Sequence, residues 1–172
     1  MSDKKNLGPI VSSAHLVSER SPELSEFEFG VTIANNAFQR WIVRGMAAVG
    51  YPDLGPNDVL VLHTLNHRER EKKLADICLV LNIEDTHVAT YAIKKLAKLG
   101  LVSSRKVGKE NFFTTSDKGR SACESYREVR ESCLMSALST YGLSNKEIGE
   151  LSALMRALSG MYDQAARAAT SL

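Results

Sequence analysis

The side chains best suited to chemistry are concentrated in one stretch: Thr86, His87, Thr90, Tyr91, Lys94, Lys95 and Lys98. On a helical wheel of about 100° per residue, His87, Tyr91, Lys94 and Lys98 share one side, with Thr90 and Lys95 on its margins. Ala89, Ala92, Ile93 and Leu96 share the other side. That pattern suits a helix with an apolar back and a face able to read a polyanion. Hydroxyls and an imidazole in the first half match base edges, and Thr90 also offers a methyl group to thymine. The lysines further along match phosphates. A second basic stretch, Arg105, Lys106 and Lys109, is placed to reach flanking backbone or a minor groove.

Other constellations are incomplete. His63 and His67 stand at i and i+4, but no third ligand follows at a metal-binding spacing. Cys78, Cys123 and Cys133 form no C-x-x-C pair, and are read as free thiols of a reducing compartment. Gly108-Lys109 lacks the glycine spacing of a phosphate-binding loop. No nucleophile–base signature or nucleotide fingerprint is present. The expectation is a binding protein, not an enzyme, with no cofactor and no metal.

Positioning such a face requires a scaffold, and the flanking sequence supplies one. Leu74, Ile77, Cys78 and Leu81 fall at i, i+3, i+4 and i+7 and predict a short helix. Asn82-Ile83-Glu84 makes a tight turn, and Asp85 caps a helix running from Thr86 to about Leu99, which Gly100 stops. The period then becomes extended: residues 101–107 and 111–115 read as strands joined through Gly108-Lys109-Glu110. Residues 68–73 read as a charged connector. Upstream, Ser21-Pro22-Glu23 starts a long helix, with serine as N-cap and proline at the first position. Its apolar stripe is Leu24, Phe27, Val31, Ala34, Phe38 and Trp41. A further helix, carrying Val59, Leu60, Leu62 and Leu65, follows Gly55-Pro56. A helix from Ser116 to about Thr140 is broken by Gly142. Ser144-Asn145-Lys146-Glu147 is a capping box opening a last helix with the stripe Ile148, Leu151, Met155, Leu158, Tyr162.

Charge follows the same division. The chain of 172 residues has a net charge of only +2. Residues 63–120 nevertheless hold 12 basic and 7 acidic side chains, against 5 and 7 before them and 5 and 6 after. A basic centre between mildly acidic flanks fits a nucleic-acid-binding middle. With 44% hydrophobic residues a core is available. No run approaches the roughly 18 apolar residues of a membrane span, so the expected location is the cytoplasm.

Helix, helix, helix-turn-helix, hairpin, helix, helix is a mainly α arrangement with a small β-hairpin wing. From Leu74 to Arg120 it resembles the multiple-antibiotic-resistance regulator (MarR) family. The matching residues are Leu74-Ala75-Asp76, Ala89-x-x-Ala92-Ile93-x-x-Leu96, Gly100-Leu101-Val102, and Thr115-Ser116-Asp117-Lys118-Gly119-Arg120. The resemblance implies a winged helix-turn-helix regulator of transcription. It implies a homodimer with interlocking terminal helices, two reading helices on a pseudo-palindromic operator in double-stranded DNA, and a small-molecule effector pocket. The wing tip is shorter than is usual in that family.

The expected organisation is therefore an N-terminal arm over 1–20, a dimerisation helix over 21–50, a DNA-binding lobe over 51–120 and dimerisation helices over 121–172. Leu24, Phe27, Val31, Phe38 and Trp41 would face a second chain, with Ile148, Leu151, Met155, Leu158 and Tyr162. The rival reading is a winged-helix module that binds another protein and no DNA.

Overall fold

The computed structural model describes residues 20–172, the side chain of Ser139 excepted. The arm expected over 1–20 lies, apart from Arg20, outside the described residues. Packing divides the chain into two units, one reaching Arg127 and one starting at Glu128.

In the first unit, α1 (Pro22–Ala48) begins with proline at its first position, where no amide donor is needed. Ser21 precedes it without a side-chain capping bond, so its hydroxyl does not act as the sequence suggests. The last turns of α1 bury Ile42, Gly45 and Met46. Helix α2 (Pro56–Asn66) buries Val59, Val61, Leu62 and Leu65. Short helix α3 (Leu74–Leu81) ends at Asn82, whose left-handed backbone (φ 51°) makes the predicted turn into α4 (Thr86–Lys98). Strands β2 (Val102–Val107) and β3 (Glu110–Thr115) pair antiparallel, with Val107 opposite Glu110 and only Gly108-Lys109 between them. Gly108 sits at φ +60°, a conformation that suits glycine at the first turn position. Helix α5 (Asp117–Arg130) returns to bury Ala122, Cys123 and Tyr126.

One strand escapes the sequence reading. Lys72–Lys73 form β1, which pairs with Phe113 and Phe112 of β3, so the wing is a three-stranded sheet in the order β1–β3–β2. Two residues are too few to show a period, and two lysines lack the usual signature of a strand. Lys72 is only 6% exposed. Its ammonium donates to the carbonyls of Leu65 (3.3 Å), His67 (2.7 Å) and Arg70 (3.2 Å), around a turn in which Arg68 and Glu69 take left-handed backbone. Burial lowers the Lys72 pKa from its ordinary value, and three carbonyl acceptors satisfy the donors of its ammonium.

In the second unit the helix begun as α5 passes through a π-helical turn at Glu131–Met135 into α6 (Ser136–Tyr141), and Gly142 at φ +68° ends it. Helix α7 (Asn145–Ala169) opens with the predicted capping box: Ser144 Oγ accepts from the Glu147 amide at 3.2 Å, and the Glu147 carboxylate accepts from the Ser144 amide at 2.8 Å. No residue of α7 is buried. Among the described residues no helix is long and apolar enough to cross a membrane.

Candidate nucleic-acid interface

Helix α4 has the two-faced character read from its sequence. Ala89, Ala92 and Leu96 are fully buried and Ile93 nearly so. Thr86, His87, Tyr91, Lys94 and Lys98 are exposed, Thr90 is half-buried, and Tyr91 leaves 69% of its surface in solvent. Asp85 caps the helix through a 2.9 Å bond from the His87 amide to its carboxylate. This helix-start acid therefore has a local task, satisfying one of the orphan amide donors of the first turn.

The cations divide into two groups. Among the described residues, Lys94, Lys98, Lys106 and Lys109 make no ion pair, and their ammonium groups stand in solvent. Lys95 and Arg105 are engaged within the fold. Lys95 Nζ donates to Asp58 Oδ2 at 2.7 Å and to the Asp53 carbonyl at 2.6 Å, and the Asp58 hydrogen bond raises its pKa. Arg105 forms a two-pronged pair with Glu71, at 3.0 Å and 2.5 Å. Both partners lie more than thirty residues away in sequence, so no local pattern announces them. The Lys73–Glu110 pair at 2.6 Å ties the wing again, and Lys73 lies 5.3 Å from the Phe112 ring centre.

The root of the wing explains the Thr115–Arg120 motif in structural terms. Ser116 Oγ donates to the Gly100 carbonyl at 2.6 Å and accepts from the Gly119 amide at 3.0 Å, so it caps α5 while gripping the end of α4. Lys118 Nζ donates to the Leu99 carbonyl at 2.9 Å, placing a positive charge at the C-terminal end of α4. Arg120 pairs with Asp117 and donates to the Thr115 carbonyl at 3.2 Å. Gly119 lies against the Leu101 carbonyl so closely that a Cβ would fall 2.1 Å from that oxygen. The motif is a latch between α4, the wing and α5.

His63 of α2 packs against Tyr126 with the rings tilted by 54° and their centres 4.6 Å apart, and Trp41 approaches the same tyrosine at 6.4 Å. Trp41, half-buried, thus makes a contact within its own lobe, besides the second chain at which the sequence pattern points it. Leu24, Phe27 and Val31 are half-buried, and Phe38 is 50% exposed. His63 Nε2 is buried with no hydrogen-bond partner, and burial lowers the His63 pKa from its ordinary value near 6.5. The folded chain therefore binds fewer protons here than the unfolded chain. Its stability is full above the ordinary histidine range and is lost as pH falls from there to the folded-state pKa. His63→Leu should flatten the loss of urea resistance between about pH 7.5 and 5.5 without weakening the protein at the upper end of that range. An unchanged acid slope would assign the sensitivity to other groups.

Of the three thiols, Cys78 and Cys123 are buried and Cys133 is exposed. Burial pushes the Cys123 thiol up to about 11, which keeps it protonated and unreactive. Among the described residues no three His, Cys, Asp or Glu side chains gather into a metal site.

Comparison with known proteins agrees with this geometry. A family profile described as a winged helix DNA-binding domain matches residues 54–119. No curated protein sequence matches the chain. Solved structures do. NMB1585, a MarR family regulator from Neisseria meningitidis, is 19% identical with a TM-score of 0.65, over 83% of this chain and 95% of that one. A mutant of MarR from E. coli, solved in complex with operator DNA, is 17% identical with a TM-score of 0.65, over 82% and 99%. A probable transcriptional regulator from Pseudomonas aeruginosa is 20% identical with a TM-score of 0.59, over 77% and 96%. At these identities the likeness establishes the fold alone: a mainly helical winged helix, like that of the MarR structures.

Proposed function

We propose that this chain is a MarR-type transcription regulator that binds double-stranded DNA as a homodimer. The carrying observation is α4, whose apolar back is buried while His87, Tyr91, Lys94 and Lys98 stand in solvent. Thr86, His87, Thr90 and Tyr91 read base edges, and Lys94 and Lys98 hold phosphates. Lys106 and Lys109 bring the wing to the flanking backbone. The operator complex of the E. coli MarR mutant supports this reading by analogy of fold.

The partner chain is a second copy. From Glu128 onward no described side chain is buried, and a unit this small does not hold a fold without a core. On α7, Leu151 (55% exposed), Leu154 (53%), Met155 (39%) and Tyr162 (36%) leave their apolar surface open, beside the half-buried Ile148 and Leu158. Covering what each such side chain leaves open contributes on the order of 1 kcal/mol, and two-fold pairing doubles the DNA contacts.

The regulator is cytoplasmic and responds to a small molecule. A cavity of about 520 Å³ beside α2, lined by Leu60, His63, Thr64, Val80 and Leu81 with Arg70 among its basic residues, offers an apolar wall and a charge. One observation favours the rival protein-binding module: Leu79 and Val80 of α3 are 82% and 67% exposed.

Selection of bound sequences from a random duplex library decides between the two. The expected result is a pseudo-palindromic motif bound by a dimer, weakened by orders of magnitude between about 50 and 200 mM salt. Equal, weak retention of all duplexes would favour the interaction module.

A further inference from the structure

The geometry points to Lys95 as a positioning residue that sets the roll of α4 and makes no contact with DNA. The inference rests on the DNA-binding reading above. Lys95 is one residue from Lys94 in sequence, yet one helical step carries its side chain around the margin of α4 toward α2. There its ammonium reaches two acceptors on a different segment, the Asp53 carbonyl and the Asp58 carboxylate. Asp58 is 5% exposed, and the same Oδ2 accepts from the Gly55 amide at 2.8 Å, closing the start of α2. A carboxylate that buried needs a cation close by, so Lys95 cannot turn outward to a phosphate without leaving Asp58 uncompensated.

The surrounding packing gives this tether its importance. Under the first half of α4 lie Ala89 and Ala92, fully buried, whose methyl groups give close approach with little interlocking, while Ile93 and Leu96 anchor the second half. In front of the tether a cleft of about 490 Å³ separates the start of α2 from α4, lined by Pro56, Asn57, His87, Tyr91 and Lys95. On that side the first turns of α4 face the open cleft and not a packed neighbour, so the tether is what limits roll there. With side-chain tips about 5–6 Å from the helix axis, a roll of roughly 15° moves a base-reading atom by about 1.5 Å. That is enough to break a hydrogen bond whose useful range is about 2.7–3.2 Å. Sequence discrimination by His87, Thr90 and Tyr91 then depends on Lys95, which itself carries no sequence information.

The test compares Lys95→Met, Lys95→Arg, Asp58→Asn and Lys94→Met in the full chain, on a duplex selected by the wild type and on a scrambled duplex, across a salt series. Lys94→Met should weaken both duplexes alike and make the salt slope shallower by about one per protomer. Lys95→Met should leave the slope unchanged and cut the ratio of selected to scrambled affinity about tenfold or more. Lys95→Arg should restore most of that ratio. Asp58→Asn should reproduce the loss of discrimination although it removes a negative charge. A slope change in Lys95→Met equal to that of Lys94→Met overturns the proposal, as does tighter binding of both duplexes by Asp58→Asn. Should Lys95→Met fail to fold, Lys95→Gln, a shorter neutral side chain that cannot compensate the Asp58 carboxylate, carries the same comparison. Amide hydrogen exchange of α4, measured without DNA, should accelerate in Lys95→Met. Acceleration in a protein that discriminates no duplex would sink the DNA reading and leave the tether intact, whereas unchanged exchange would sink the tether.

Discussion

Replacing Lys94 and Lys98 together by glutamate is expected to weaken DNA binding about a thousandfold near physiological salt. Both ammonium groups are exposed on the outward side of α4 and neither has a carboxylate partner among the described residues. On the proposed reading, a dimer would lose four phosphate contacts at once. The neutral double variant with glutamine separates contact from repulsion. Its plot of log affinity against log salt should be shallower than wild type by about 3 to 4, from a slope contribution of roughly 0.9 per phosphate. Thermal stability should barely change, because the two side chains support no internal contact. Retained affinity with an unaltered slope would mean that DNA, if bound, meets another surface.

Gly119→Ala should be the most damaging single substitution in the latch, costing about 3 kcal/mol of folding stability, at the upper end of what overpacking usually costs. The added methyl would sit 2.1 Å from the Leu101 carbonyl oxygen, and that oxygen also accepts from the Ser116 amide at 3.0 Å. Backbone on both sides leaves no rotamer to escape into. The gain in helix propensity from alanine, about 1 kcal/mol, offsets only part of the loss. Gly45 provides the control. There a Cβ would meet the edge of the Tyr126 ring at 2.6 Å, and a ring can tilt where a carbonyl cannot. Gly45→Ala should therefore lose less than Gly119→Ala in a denaturant titration; the reverse order would show that the wing root adapts more easily than the helix crossing.

The elements that can be read from sequence are those whose signal is local. The alternation of Ala89, Ala92, Ile93 and Leu96 with His87, Tyr91, Lys94 and Lys98 is enough to define α4 and its outward side. The capping box of α7 and the glycine at the hairpin turn are equally plain. What sequence does not disclose are partners brought together by folding. Lys95 and Lys94 look alike until Asp58, 37 residues earlier, claims one of them. Arg105 looks like a wing contact until Glu71 holds its guanidinium. Trp41 continues a stripe with Leu24 and Phe38, and only the fold shows that it also packs against Tyr126 at the edge of the lobe's core. The Thr115–Arg120 motif stands out in the sequence as a resemblance, but its reason lies in the carbonyls of Leu99, Gly100 and Leu101 that it grips.

The bareness of α7 has a consequence for how much of this protein can exist in working form. On the proposed pairing, a segment that acquires its interior from a twin ties folding to mass action, so the melting temperature should climb with protein concentration. Newly made chains in a sparse population would then remain open to proteases until they met. The cell's supply of operator-competent protein would rise more steeply than its rate of synthesis.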